Sequence, residues 1–139
     1  MRVPQRLDYA LRAAIFLALR NDADYIAGGE LAEHLGLPKR FVEQQITALA
    51  RAGIVQCRRG STGGCVLARP PRDVTVLDVV EAVQGDVLDV PRVTGSAASL
   101  MWAGASDELA TYLAGISLQQ LADEQRDLDA AGAIPMYYI

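Results

Sequence analysis

The sequence predicts a mainly α fold carrying one small β-hairpin, and three observations predict it. Apolar residues recur at three- and four-residue steps through most of the chain. A single glycine turn separates two of the resulting helices. Two short β-prone runs then flank a glycine-rich turn. With 139 residues, 51% of them hydrophobic, the chain has enough apolar material for a packed core.

The first helix is expected from Gln5 to about Arg20, with Leu7, Leu11, Ala14, Ile15, Ala18 and Leu19 on its apolar face. The polar cluster Asn21-Asp22-Ala23-Asp24 ends it. A short second helix is expected over Gly28 to Leu35, closed by Gly36, which can take the left-handed conformation of a tight turn. Pro38 suits the first turn of a third helix, where its missing N–H is not needed, and that helix runs to about Ala52 before Gly53. Helix, short glycine turn, helix is a helix-turn-helix. On the third helix Val42, Ile46, Leu49 and Ala50, with Phe41 beside them, face one way. Arg40, Glu43, Gln44, Thr47 and Arg51 face the other, and Lys39 stands at its start. Long polar side chains in such a stripe reach base edges and phosphates when a helix enters a major groove.

Ile54 to Arg58 and Cys65 to Ala68 read as two strands around Arg59-Gly60-Ser61-Thr62-Gly63-Gly64, a hairpin with a basic tip. Arginine at such a tip can enter a narrow minor groove or pair with phosphate. Arg58, Arg59 and Ser61 therefore join Lys39, Arg40, Glu43, Gln44, Thr47 and Arg51 as candidate DNA-binding residues. The glycines are not a nucleotide-binding loop, because no Gly-Lys-Ser/Thr follows and no helix begins there. The prolines at 70 and 71 make a stiff exit, and a fourth helix is expected from Thr75 to about Gln84. Asp86 to Gly95 reads as a linker. Ser96 to about Ala114 is a long helix with more apolar surface than a small domain can cover, which suits dimerisation. Ser117-Leu118-Gln119-Gln120 has the form of a capping box and starts a short last helix through Ala122 or beyond; the tail from Asp123, acidic and Ala/Gly-containing up to Pro135–Ile139, fits no element.

The expected whole is thus a winged helix-turn-helix DNA-binding domain over 1–85, a linker over 86–95, and a dimerisation helix and tail over 96–139. Charge follows the same division. Residues 1–72 hold eleven Lys and Arg against six acids, net +5, and residues 73–139 hold two against eleven, net −9. The basic half is the candidate DNA face, and dimerisation doubles its charge. No apolar run of membrane-spanning length and no signal peptide is present, so a cytoplasmic protein without membrane contact is expected. Two cysteines and one histidine, His34, exclude a disulfide framework and a zinc site of the usual four-ligand kind. Cys57 and Cys65 lie on the two strands as candidate cross-strand neighbours and hence a redox pair, although small half-buried strand residues are the plainer reading.

With these residues assembled, the chain resembles the IscR/CymR-like (Rrf-type) family of bacterial winged-helix regulators. The resemblance lies in Tyr9 to Ala13, in Leu37 to Val55, and in Arg58 to Gly85, where an Arg-Gly-x-x-Gly-Gly wing is followed by Leu-Ala-Arg-Pro-Pro. It implies a dimeric repressor or activator responding to iron–sulfur status, cysteine metabolism, nitric oxide or redox state. It also makes Arg59 the wing arginine of the minor groove and Glu43 the base-discriminating acid of the recognition helix. Arg40, Gln44 and Thr47 then stand where that helix meets the groove. One departure bears on the cofactor: cluster-bearing members carry three cysteines after the fourth helix, and Asp86 to Ala105 contains none. First-helix ligands fare no better, with Asp8 and Arg12 where a carboxylate and an imidazole are wanted. No cofactor is expected, and no motif identifies an effector.

Other functions are weaker on the sequence. An enzyme needs a nucleophile–base pair, paired carboxylates or a metal, and none is assembled here. The alternative is a winged helix that binds a partner protein instead of DNA, which calls for an apolar outer face on the third helix; the face is charged and polar. RNA as the nucleic acid would be separated from duplex DNA by competition between the two.

Overall fold

A computed structural model describes residues 1–20 and 24–132. Six helices and one hairpin follow in the order α1 Gln5–Leu19, α2 Gly28–Leu35, α3 Lys39–Arg51, β1 Val55–Arg58, β2 Gly64–Leu67, α4 Val76–Gln84, α5 Ala97–Ala114 and α6 Leu118–Ala130. A 3₁₀ turn over Pro71–Asp73 lies between β2 and α4. The fold is mainly helical with a hairpin wing, as the sequence predicts. The cluster at Asn21, Asp22 and Ala23 and the tail from Pro135 to Ile139 fall outside the described residues.

α1 is the centre of the body and not a helix with one apolar face. Ala10, Ala13, Ala14, Ile15, Phe16, Leu17 and Ala18 are all buried, while Leu7, Leu11 and Leu19 are only partly covered. The reason is its position: α3, α4 and α6 pack around it. Small alanines on several sides let those helices approach closely, where larger residues would hold them apart.

The turn between α2 and α3 is fixed by Gly36, whose φ of 65° is the left-handed conformation. Its N–H donates to the Glu33 carbonyl and the Leu37 N–H to the Ala32 carbonyl, both at 3.1 Å, so the end of α2 is satisfied as α3 begins. On α3 the buried residues are Val42, Gln45, Ile46 and Leu49. Phe41, expected beside the apolar face, is half exposed, and the polar Gln45 is covered in its place. The i, i+3, i+4, i+7 spacing starting at Val42 selects position 45 whatever its residue type.

β1 and β2 pair antiparallel, with Val55 opposite Leu67, Gln56 opposite Val66, Cys57 opposite Cys65 and Arg58 opposite Gly64. Ile26, between α1 and α2, adds an isolated bridge on the outer edge: its N–H donates to the Cys65 carbonyl at 3.0 Å, and its carbonyl accepts from the Cys65 N–H at 2.8 Å. The wing is thereby tied to the helical body.

α4 opens with a full capping box, the Thr75 hydroxyl accepting from the Asp78 N–H at 3.1 Å and the Asp78 carboxylate from the Thr75 N–H at 2.9 Å. α6 is longer than the sequence suggests, thirteen residues reaching Ala130. It returns to the body, where Leu118 and Ala122 are fully buried in the core around α1. A bridge between Thr75 and Ser117 fixes that return. α5 alone stays outside the core: none of its eighteen residues is buried, and it packs on α4.

Candidate nucleic-acid interface

α3 presents Lys39, Arg40, Glu43, Gln44, Thr47 and Arg51 on its uncovered side, all exposed. Burial of Val42, Gln45, Ile46 and Leu49 turns these positions outward together with Phe41, so the polar stripe follows from the packing of the opposite side. The helix sits close to the start of α2. A side chain at Gly28 would meet Glu43, and one at Gly29 would meet Lys39, so these two glycines make room for the recognition stripe. The Thr47 hydroxyl donates to the Glu43 carbonyl at 2.9 Å, which uses its one O–H donor and leaves its oxygen able to accept.

The wing joins this surface. Glu43, Ile46 and Thr47 of α3, Gly28 of α2, and Cys57, Gly64 and Cys65 of the hairpin line one cavity of about 210 Å³. Arg59 and Ser61 are exposed at the tip, and no hydrogen bond, ion pair or ring contact engages Arg59 among the described residues. Arg58 is placed differently. Its Nε and Nη2 donate to the Thr62 carbonyl at 3.3 and 2.9 Å, and its guanidinium carbon lies 4.1 Å from the centre of the Tyr25 ring.

The contact of Tyr25 with the wing is not apparent from the sequence. The signal available was slight: a Tyr-Ile pair just before Ala27 and two glycines, too short to read as a strand without its partner.

Cys57 and Cys65 are directly opposite each other in the register, and both are free thiols. The N–H and carbonyl of Cys65 bond Ile26 on the other edge, so the pair is of the non-hydrogen-bonded kind. Such pairs hold their Cα atoms about 4.5 Å apart, at the short end of the range a disulfide spans. Cys57 is exposed and Cys65 buried. Burial pushes the Cys57 thiol up, and burial together with the neighbouring Cys57 pushes Cys65 up to about 11, against a smaller pull downward from Arg20.

The residues do not fit an iron–sulfur cluster. The only two cysteines of the chain lie on the wing. Asp8 and Arg12 are engaged with each other at 3.0 Å. Among the described residues no group of three His, Cys, Asp or Glu side chains is arranged to hold a metal ion.

Comparison with known proteins agrees with this architecture. Residues 3–124 match the profile of the Rrf2 family, described as an iron-dependent transcriptional regulator. An rrf2-like HTH-type transcriptional regulator of Rhodobacter capsulatus is 35% identical over 98 residues, 68% of this chain and 65% of that protein, just under two thirds of its length. The HTH-type transcriptional regulator IscR of Photorhabdus laumondii is 28% identical over 141 residues, 95% of this chain and 85% of that one. Among solved structures, T. potens IscR superposes with a TM-score of 0.76 at 27% identity, covering 99% of this chain and 97% of that one. CymR, the global cysteine regulator of B. subtilis, shares the fold with a TM-score of 0.78 at 24% identity, over 89% of this chain and 98% of that one. A family profile spanning most of the chain settles the matter: this chain belongs to the Rrf2 family, as a DNA-binding transcriptional regulator and not an enzyme.

Proposed function

We propose that two copies of the chain, joined through α5, bind one two-fold symmetric duplex site, each copy placing α3 in a major groove and its wing in the flanking minor groove. The observation that carries this reading is the meeting of α3 and the wing around one cavity, which sets the polar α3 stripe beside the hairpin whose tip exposes the unengaged Arg59. Lys39, Arg40, Gln44 and Arg51 supply donors to phosphates and base edges, Glu43 accepts from a cytosine amino group, and Ser61 and Arg59 work at the wing. Arg58 belongs to the same surface. Residues 1–85 carry the DNA contact, 86–95 connect, and 96–139 supply the dimer contact, with α6 also completing the core of the first part.

A second copy is the occupant that α5 fits. Leu100, Met101, Trp102 and Tyr112 are exposed, and a single copy leaves this apolar surface in water. An apolar cleft of about 310 Å³ between the start of α1, α4 and α5 continues the same surface through Leu7, Leu11, Val80, Leu109 and Leu113. Acting on the chromosome places the protein in the cytoplasm; no described helix is long and apolar enough to cross a membrane. The donor set argues for regulation without a resident cluster.

Cys57 and Cys65 are proposed as a redox pair. Exchange with a low-molecular-weight disulfide such as oxidised glutathione would join the two sulfurs and release two reagent thiols. The closed ring encloses Arg59, so bridging alters the presentation of the tip. Oxidation is expected to change duplex affinity in the native chain and to leave a Cys65→Ser variant unchanged; equal behaviour of the two would remove the pair from regulation.

The function itself is tested by selecting duplexes from a random pool with the purified chain. Recovery of a two-fold symmetric sequence supports the reading, and recovery of no preferred duplex contradicts it.

A further inference from the structure

We infer that Arg58 and Tyr25 form a latch that holds the wing tip in the conformation presenting Arg59, so that Arg58 is a positioning residue and does not itself read DNA. This rests on the DNA-binding surface proposed above and assigns one member of it a different role.

Arg58 leaves β1 at the last paired position, opposite Gly64. That glycine puts no side chain across from the guanidinium. It is also required there: its φ is 141°, and an added Cβ would collide with the Ile26 carbonyl. The Arg58 Nε and Nη2 both donate to the Thr62 carbonyl, closing the tip from one side to the other. Within that closure the Gly63 N–H donates to the Gly60 carbonyl at 3.0 Å. The Arg58 guanidinium then lies over the Tyr25 ring at 4.1 Å, a close cation–π distance. Tyr25 is a fixed platform, since the next residue, Ile26, is bonded to Cys65 of β2 through two backbone hydrogen bonds. Arg58 thus ties the tip of the wing to the segment that docks the wing on the body. Two of the five guanidinium N–H donors are committed to the Thr62 carbonyl and the group lies over the Tyr25 ring, so its charge is held in one orientation within the wing. Arg59, one residue on, has no such partner among the described residues.

Geometry makes the latch specific to its residue types. Lysine keeps the charge of Arg58 but cannot donate two bonds from a planar fork while stacking. Phenylalanine keeps the ring of Tyr25; leucine does not.

The experiment measures affinity for a selected duplex across a salt series, for Arg58→Lys, Arg58→Ala, Tyr25→Leu, Tyr25→Phe and the Arg58→Ala/Tyr25→Leu double variant, with helix content checked in each. The latch predicts a loss of about three- to ten-fold for Arg58→Lys, Arg58→Ala and Tyr25→Leu, with the salt slope unchanged. Tyr25→Phe retains native affinity, and the double variant is no weaker than either single one. Arg59→Ala is the contrast, lowering affinity together with the salt slope. If Arg58→Lys binds like the native chain, Arg58→Ala reduces the slope by about one and Tyr25→Leu is silent, Arg58 contacts phosphate and the latch is wrong. A second readout needs no DNA: amide exchange at Gly63, whose N–H is bonded to the Gly60 carbonyl, should speed up in Tyr25→Leu and Arg58→Lys in the free chain, with α3 amides unaffected. Unchanged exchange overturns the latch even where DNA binding is intact, and faster exchange upholds it even if no duplex binds.

Discussion

Arg59 is the side chain on which the wing half of the proposed surface depends, because it is exposed at the tip and unengaged among the described residues. Replacing it by alanine is expected to weaken binding to a selected duplex by about 1–3 kcal/mol, read by titration at physiological salt. Cys65 gives a prediction about stability. Its thiol is raised from 9.0 to about 11 in the folded chain, so between those values the unfolded chain releases a proton that the folded one keeps. Holding the proton favours the folded state up to about pH 9, and this contribution is lost as pH rises towards 11, where the buried thiol ionises. A Cys65→Val chain should therefore lose less stability than the native one between pH 9 and 11, measured by denaturant titration at each pH. The same raised thiols make disulfide exchange slow at neutral pH, since the thiolate is the attacking species. Exposed Cys57 should accordingly be alkylated well before Cys65, with a rate that climbs as pH rises.

The hairpin and α5 show which elements the sequence makes legible and which it hides. The wing was readable because Gly60, Gly63 and Gly64 between two β-prone runs have few other uses, and α3 because Pro38 and Gly53 bracket its apolar spacing. Its polar face was legible for the same reason, though Gln45 was not, since its residue type gives no hint that packing will cover it. The Ile26 bridge was hidden because a single residue of strand carries no periodicity, and with it went Tyr25. The sequence makes α6 look short because Asp123, Glu124, Asp127 and Asp129 resemble a tail; the first three are exposed while Leu118 and Ala122 anchor the helix. Gly64 ties these observations to a test. Gly64→Ala forces a side chain into a positive-φ position and against the Ile26 carbonyl, at a cost on the order of 1–3 kcal/mol from strain alone. Weakened DNA binding with the helix content preserved, by circular dichroism, is the expected result.

The whole molecule has an acidic half and a basic half, net −9 over residues 73–139 and +5 over residues 1–72, and only the second can approach a phosphate backbone. Pairing two copies through α5 places two basic bodies on one duplex, with half-sites about 34 Å or a multiple of it apart. Introducing charge at Leu100 and Tyr112 together, both exposed on α5, should yield a folded monomer by sedimentation and cost most of the affinity for a symmetric site. The most direct measurement is a titration of the purified chain against its selected duplex and against random competitor, with the number of bound chains determined across a salt series. The account predicts two chains per site, a clear preference over competitor, and a logarithm of affinity falling linearly with the logarithm of salt. One chain per site, or equal affinity for selected and random duplexes in dilute buffer, would contradict it.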